Sequence, residues 1–302
     1  MAFTAKDVQA LREKTGCGMM DCKKALTEAN GDMEQAIKSL REKGLAAAAK
    51  KAGRIAVEGI VVSVINNDKK VGVVLEVNAE TDFVAKNKDF VAFANAVAVT
   101  IIESNPADVE ALLATNLAGA NATVQEELND KILTIGENIK IRRFVRLEGD
   151  LVSYVHGGGT IGVMIKFDTD LADKPEFLTY GKDVAMQVAA ANPQYLNKEQ
   201  VPDEVIEKEK EILMSQAINE GKPENIAKKM VEGRISKYYK EFCLTDQAFV
   251  KDGNVSVGKY TENTAKELGG TIKILEFIRY AKGEGLEKRE ENFAEEIANL
   301  TK

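Results

Sequence analysis

Two distant parts of this chain repeat each other in sequence. Glu58-Gly59 reappears as Glu148-Gly149, and Gly72-Val73 reappears as Gly162-Val163, both displaced by 90 residues. Matches that keep the same order and spacing indicate two related folding units. At 302 residues, the chain is long enough for about two domains.

The spacing of the repeat changes toward the end of each copy. Asn105-Pro106 matches Asn192-Pro193 at a displacement of 87, whereas Ile139-Lys140-Ile141 matches Ile272-Lys273-Ile274 at 133. The second copy therefore carries 46 additional residues between these two landmarks. Residues 205–242 lie there, with apolar side chains among dense Glu and Lys and a Gly-Lys-Pro interruption, which predicts an inserted helical hairpin.

This insert should have an apolar stripe that its two helices cover incompletely. A protein partner is expected on it, either a second copy of this chain or a different protein. The apolar residues of the stripe are Val205, Ile212, Ile218, Ile226, Met230 and Ile235.

Each copy has the pattern strand, strand, helix, helix, strand. Residues 60–65 and 71–77 are rich in β-branched side chains and flank a turn, which predicts a hairpin. Residues 89–103 predict a helix, and residues 139–146 predict the third strand of the first copy. The sequence thus predicts an α+β protein with a duplicated core.

Before the core, the sequence predicts a bundle of three short helices. Thr4 and Asp7 have the spacing of a capping box at the start of the first helix, and residues 21–29 predict the second. The third helix is predicted to stop at Gly44. Residues 45–53 are rich in alanine and lysine and offer little to bury, so we predict a linker there.

The glycine-rich run after His156 matches the GxGxxG pattern of dinucleotide sites. Residues 161–167, however, are β-branched and strand-like, which favours a glycine hairpin turn over a phosphate-binding loop. The same run resembles an esterase oxyanion motif, but His156 is the single histidine and a triad needs a separate base. Walker A, HExxH and paired CxxC motifs are absent from the sequence. We predict no enzyme, no cofactor and no metal site.

The charge and the hydropathy of the sequence indicate which classes of partner to expect and where in the cell the protein acts. The net charge of −7 argues against nucleic acid as a default partner. The sequence has no apolar run of the about 18 residues that span a bilayer, and its start lacks a secretory signal pattern. We therefore expect a soluble cytoplasmic protein.

The segment directly after the second predicted strand is the remaining candidate site. Thr81 could cap a short helix, which would place Asp82 and Phe83 in its exposed first turn. Taken alone, the pattern favours a structural interpretation, in which Phe83 packs inward and Asp82 only interacts with the helix dipole.

Several separated strings occur in one order along nearly the whole chain, at residues 15–26, 80–87, 156–162, 190–196, 221–223 and 283–285. Through these strings the chain resembles the elongation factor Ts family, the guanine-nucleotide exchange factors of elongation factor Tu.

This resemblance implies a domain organisation. It consists of a UBA-like (ubiquitin-associated-like) three-helix domain with its linker over 1–54, core subdomains over 55–146 and 147–282, a coiled-coil insert over 199–245, and a C-terminal helical module over 283–302. Two positions depart from the family pattern, which often has His at Gln187 and Pro at Ala248. We therefore place little weight on contacts carried over from the family at either position.

The resemblance also implies a mechanism. The segment Thr81, Asp82, Phe83 and Val84 would enter the GTPase domain of elongation factor Tu and displace the groups that hold magnesium. GDP would then leave and GTP could bind, without a cofactor on this side. The hairpin would form a homodimer or a heterotetramer, and no direct contact with nucleic acid or membrane is implied. The competing hypotheses are a protein-binding scaffold that drives no exchange and an esterase built on His156.

Overall fold

The computed structural model of the chain describes residues 3–287, and both helices and strands occur within them. The predicted α+β class is therefore confirmed. The residues fall into two compact units. The first contains residues up to Val62, Leu75–Phe144 and the residues from Ala281 on, and the second contains Ser63–Val74 and Val145–Tyr280. The candidate segment after the second strand lies in the first unit.

Residues 5–51 form three helices, α1 (Ala5–Thr15), α2 (Met19–Glu28) and α3 (Met33–Lys51). The side chain of Thr4 accepts a hydrogen bond from the Asp7 amide, and the Asp7 carboxylate accepts one from the Thr4 amide, so the predicted capping box is present. The three helices share an apolar core, formed by Val8, Leu11, Cys17, Cys22, Ala25, Leu26, Ala36 and Leu40.

The predicted helix end at Gly44 is wrong, because α3 continues to Lys51 through the segment expected to be a linker. This extension contacts α7 (Val124–Ile135). A Cβ atom on Gly44 would lie 3.5 Å from the Asn129 carbonyl oxygen, and Lys51 Nζ donates to the Ile132 carbonyl at 3.2 Å. Alanine and glycine allow two helices to approach closely, so a helix far along the sequence covers the segment that seemed to have nothing to bury.

The first copy of the repeat follows the predicted order, and its strands form a sheet in the order β1-β2-β3. The predicted hairpin and last strand agree with the observed bounds to within two residues. The elements are β1 (Glu58–Ile65), β2 (Val71–Ala79), α4 (Asp82–Ala85), α5 (Lys88–Ser104), α6 (Val109–Ala114), α7 and β3 (Lys140–Glu148).

The second copy forms a sheet in the equivalent order, β4-β5-β8, with β4 antiparallel to β5. The predicted hairpin occupies the insertion as α9 and α10, and a short β6–β7 ladder follows it that the pattern did not predict. The elements are β4 (Asp150–His156), β5 (Ile161–Thr169), α8 (Pro175–Ala191), a 3-10 turn (Lys198–Gln200), α9 (Asp203–Asn219), α10 (Glu224–Phe242), β6 (Ala248–Phe249), β7 (Asp252–Ser256), α11 (Val257–Leu268) and β8 (Ile272–Ala281).

Matched positions of the two copies also share backbone conformation. Asn105 and Asn192 end α5 and α8 in the left-handed region, both with φ of 47°. Asparagine tolerates this region better than other side chains because its amide hydrogen-bonds locally. The repeat seen in the sequence therefore extends to the way in which these two helices end.

The inserted hairpin buries one side of each helix and exposes another. Ile206, Leu213 and Ile235 belong to a buried cluster between α9 and α10. The predicted apolar stripe is partly outside this cluster, since Ile212, Ile218 and Ile226 are about half exposed. These three isoleucines, which we call the hairpin isoleucines, remain available for a partner.

The predicted C-terminal module, 283–302, falls largely on residues 288–302, which lie outside the described residues. Residues 283–286 form a turn. Gly283 N donates to Glu76 Oε1 at 2.8 Å, and Arg142 Nη2 donates to the Glu284 carbonyl at 2.6 Å. These bonds join the turn to β2 and β3 within the first unit.

Candidate functional site

The candidate segment forms α4, a single helical turn between β2 and α5. Thr81 is its N-cap, with extended backbone, and its hydroxyl oxygen accepts a hydrogen bond from Val84 N at 3.4 Å. Asn87 then caps α5, accepting from the amides of Asp89 and Phe90. Each of these two N-caps begins a helix, so α4 is a separate short turn that precedes α5.

Phe83 and Val84 have opposite environments on this turn. Val84 is buried at 8% exposure, whereas the Phe83 side chain is 81% exposed. The pattern-based prediction that Phe83 packs inward is therefore wrong. Of the large apolar side chains in the described part of the chain, Phe83 is the most exposed, and because a phenyl ring gains much from burial it is the candidate contact for another molecule.

Asp82 lies beside the exposed ring and carries a charge at neutral pH. Its carboxylate accepts a hydrogen bond from Lys86 Nζ at 2.7 Å, one helical turn further on. This bond lowers the pKa of Asp82 below its ordinary range. Both side chains are at least half exposed, so an incoming cation could replace Lys86 at little cost.

A carboxylate that sequence analysis missed holds the segment from the loop after α7. Glu137 Oε2 accepts from Glu80 N at 3.1 Å and from Thr81 N at 3.0 Å, and its Oε1 accepts from the Thr81 hydroxyl at 2.6 Å. In return, Asn138 N donates to Glu80 Oε1 at 2.6 Å. We call these reciprocal bonds between residues 80–81 and 137–138 the clasp. It positions α4 from its N-terminal side.

Phe83 also lines a cleft of about 530 Å³ within the first unit. The walls come from the end of α1, from α4 and the start of α5, and from α7. Asp130 on α7 contributes a carboxylate whose pKa is raised, first by burial and then by the charge of Glu127. The other lining residues are Lys14, Thr15, Gly16, Val84, Asn87, Asp89, Glu127, Lys131, Thr134 and Ile135.

Comparison with known proteins places this site in a family. A family model described as elongation factor TS matches residues 80–284, a range that begins at Glu80 of the clasp. An elongation factor Ts of Clostridium perfringens (strain SM101) is 57% identical over 301 residues, which cover 99% of each chain. The chain belongs to the elongation factor Ts family.

More distant relatives cover the chain just as fully. An elongation factor Ts of Clostridium botulinum (strain Eklund 17B) is 53% identical over 299 residues, 98% of each chain. One from Syntrophotalea carbinolica is 50% identical over 305 residues and covers both chains completely. The resemblance inferred from the short strings is confirmed, and the chain is an elongation factor of protein biosynthesis.

Other sequence motifs of the chain have structural explanations. Residues 157–160 form the turn between β4 and β5, as predicted, and the His156 ring contacts the Tyr154 hydroxyl at 3.0 Å. Within residues 3–287, no group of three or more His, Cys, Asp or Glu side chains is arranged to hold a metal ion. The helices in that part of the chain are too short or too polar to cross a bilayer.

Gln187, where the family often has His, is buried at 1% exposure. Its side chain donates to Gln247 Oε1 at 3.0 Å and accepts from Val250 N at 2.7 Å. In this chain the glutamine therefore joins α8 to the β6–β7 ladder inside the second unit.

Proposed function

We propose that the chain is a guanine-nucleotide exchange factor that binds elongation factor Tu in its GDP-bound form and promotes GDP release, so that GTP can bind. The observation that carries this proposal is Phe83, 81% exposed on a capped helical turn whose neighbour Val84 is buried. Membership of the elongation factor Ts family supplies the class of partner.

In this proposal Thr81, Asp82, Phe83 and Val84 enter the GTPase domain of the partner. Phe83 fills an apolar pocket there, and an aromatic anchor of this kind can contribute about 2 kcal/mol or more. Asp82 meets the groups that hold magnesium. Because magnesium bridges the nucleotide phosphates to the GTPase, displacing its ligands weakens GDP binding.

The factor itself breaks no covalent bond and needs no cofactor. It acts because it binds nucleotide-free elongation factor Tu better than the GDP-bound form, so that each ligand weakens the other by the same factor. A coupling of about 1.4 kcal/mol corresponds to a tenfold change in nucleotide affinity. In this proposal, nucleotide exchange therefore depends on the shape and the charge that α4 presents to elongation factor Tu.

The finer domain assignments belong to the same proposal. Residues 1–54 would be a UBA-like bundle, 55–146 and 147–282 the two core subdomains, and 199–245 a coiled coil that joins copies into a homodimer or heterotetramer. The hairpin isoleucines are the surface that supports this assembly. We place the protein in the cytoplasm, with 283–302 as a C-terminal helical module and without nucleic-acid or membrane partners.

Release of a fluorescent GDP analogue from elongation factor Tu tests the proposal. Asp82→Ala, Phe83→Ala and the double variant are compared with wild type, and Val99→Ala serves as a control because Val99 is another exposed apolar residue in the first unit. We expect Phe83→Ala to slow release at least about tenfold, Asp82→Ala to have a smaller effect, and the control to have none. If the wild type binds elongation factor Tu without accelerating release, the non-exchanging scaffold is the correct function.

A further inference from the structure

The two copies of the repeat differ at the clasp. Comparing them shows which bonds of the clasp both copies share and which belong only to the copy that contains α4. In the second copy the residues that match Glu80 and Asn138 are Asp170 and Thr271. Asp170 Oδ1 accepts from Thr271 N at 2.7 Å, just as Glu80 Oε1 accepts from Asn138 N at 2.6 Å. An acidic side chain at the end of the second strand thus bonds to the backbone before the last strand in both copies.

The other half of the clasp exists in the first copy alone. Glu137 corresponds to Gly270, where a Cβ atom would lie 2.5 Å from Leu171 Cδ2. Leu171 takes the place of Thr81 and is buried at 3% exposure. In the second copy the Leu171 amide donates instead to the Thr169 hydroxyl at 3.0 Å, so this copy forms its sheet without an equivalent of the Glu137 carboxylate. The same fold does not require Glu137.

In the first copy, the Glu137 carboxylate controls the start of α4. Its Oε2 accepts hydrogen bonds from the two amides that follow the end of β2. Because the Thr81 hydroxyl donates its proton to Oε1, its lone pairs remain to accept from Val84 N. A single carboxylate thus fixes the backbone before the turn and the side chain that caps it, through charge-assisted bonds.

We propose that Glu137 is a positioning residue for nucleotide exchange, which sets the direction in which α4 presents Phe83 to the partner. This inference rests on the proposed function. Glu137 touches neither the nucleotide nor the partner's magnesium in this proposal. Its effect on exchange must therefore pass through Phe83, and this dependence can be measured.

A double-mutant cycle between Glu137 and Phe83 tests the inference, with the maximal rate of GDP release from elongation factor Tu as the readout. In the wild-type background we expect Glu137→Ala to lower this rate about tenfold. In the Phe83→Ala background the same substitution should change it less than about twofold, because no ring remains to be positioned. Glu110→Ala, at an exposed carboxylate on α6, is the control and should match the wild type.

Glu137→Gln keeps an oxygen for the two amides and a polar group beside the Thr81 hydroxyl, so it should recover much of the lost rate. If circular dichroism shows that Glu137→Ala does not fold, Glu137→Asp takes its place in the cycle, because its carboxylate is one methylene too short to make the bonds of the clasp. Equal losses in both backgrounds, or no loss in either, would overturn the positioning role. If elongation factor Tu releases GDP as fast with Phe83→Ala as with wild type, both the proposed function and this inference are wrong. If Phe83→Ala slows release but the effects of the two substitutions are additive, only this inference is wrong.

Discussion

At the scale of single residues, Glu76 of β2 is a buried charge that several donors hold. It is fully buried and accepts hydrogen bonds from Arg142 at 3.0 Å, from Arg143 at 2.7 Å and from Gly283 N at 2.8 Å. Burial alone would raise the pKa of Glu76, but these donors, together with Asn78, outweigh it and lower the pKa below its ordinary range. The charged form is therefore the one that the fold stabilises.

This lowered pKa predicts how stability depends on pH. Because the folded pKa lies below the unfolded one, the contribution of Glu76 is complete above the unfolded value of about 4.3 and is lost as the pH falls through the folded pKa. Glu76→Gln should lack this part of the acid dependence and should be about 3 kcal/mol less stable at pH 7, since two arginines lose their partner. Urea unfolding of both proteins between pH 7 and 3 measures this, and parallel pH curves would rule it out.

The candidate site could be predicted from the sequence only where the role of a residue depends on its close neighbours in the chain. Thr81 was correctly predicted as a cap because its role depends on residues within three positions of it. The exposure of Phe83 depends on what surrounds a helix of four residues, which is too short to show a periodicity. Glu137 bonds to residues more than 50 positions away, and its one sequence signal was its mismatch with Gly270 in the repeat.

At the scale of elements, the contact of α3 with α7 decides where the N-terminal helices end. Gly44 sits where α3 lies against Asn129 and Asp130 of α7, and a Cβ there would be in ordinary van der Waals contact at 3.5 Å. This distance implies that the contact has space for one methyl group but not for a branched side chain.

Two substitutions at Gly44 should therefore have opposite effects. Gly44→Ala should stabilise the protein by about 0.5 to 1 kcal/mol, because alanine favours the helix and its methyl group fits. Gly44→Leu should destabilise it by about 1 to 3 kcal/mol, because the longer side chain pushes α7 away. Chemical denaturation gives both values. Similar stabilities for the two variants would mean that α3 does not pack closely on α7.

The same contact explains how far the elements were predictable. The strands of both copies were located because β-branched runs and repeated landmarks such as Gly72-Val73 and Gly162-Val163 are local or self-matching signals. The end of α3 was not, because its cover comes from a helix about 80 residues further along the chain. The end of α3 is therefore determined by tertiary contacts that the local sequence pattern does not indicate.

At the scale of the whole molecule, the hairpin isoleucines predict self-association. Replacing Ile212, Ile218 and Ile226 together with serine should leave folding stability nearly unchanged, since all three are about half exposed. The same variant should lose the dimer that we expect of the wild type in sedimentation velocity. A control with the exposed residues Glu211 and Lys229 changed to serine should keep it. If wild type and isoleucine variant sediment as the same species, the hairpin does not join copies of this chain.

The central claim for the molecule is that an exposed ring on α4 drives nucleotide release, and the most direct test is the maximal rate of GDP release from elongation factor Tu at saturating concentrations of the factor. Saturation separates the action of the ring from its contribution to binding, because all of the partner is then in complex. We predict that Phe83→Ala lowers this maximal rate at least about tenfold. An unchanged maximal rate, with a shift only in the concentration needed to reach it, would contradict the claim.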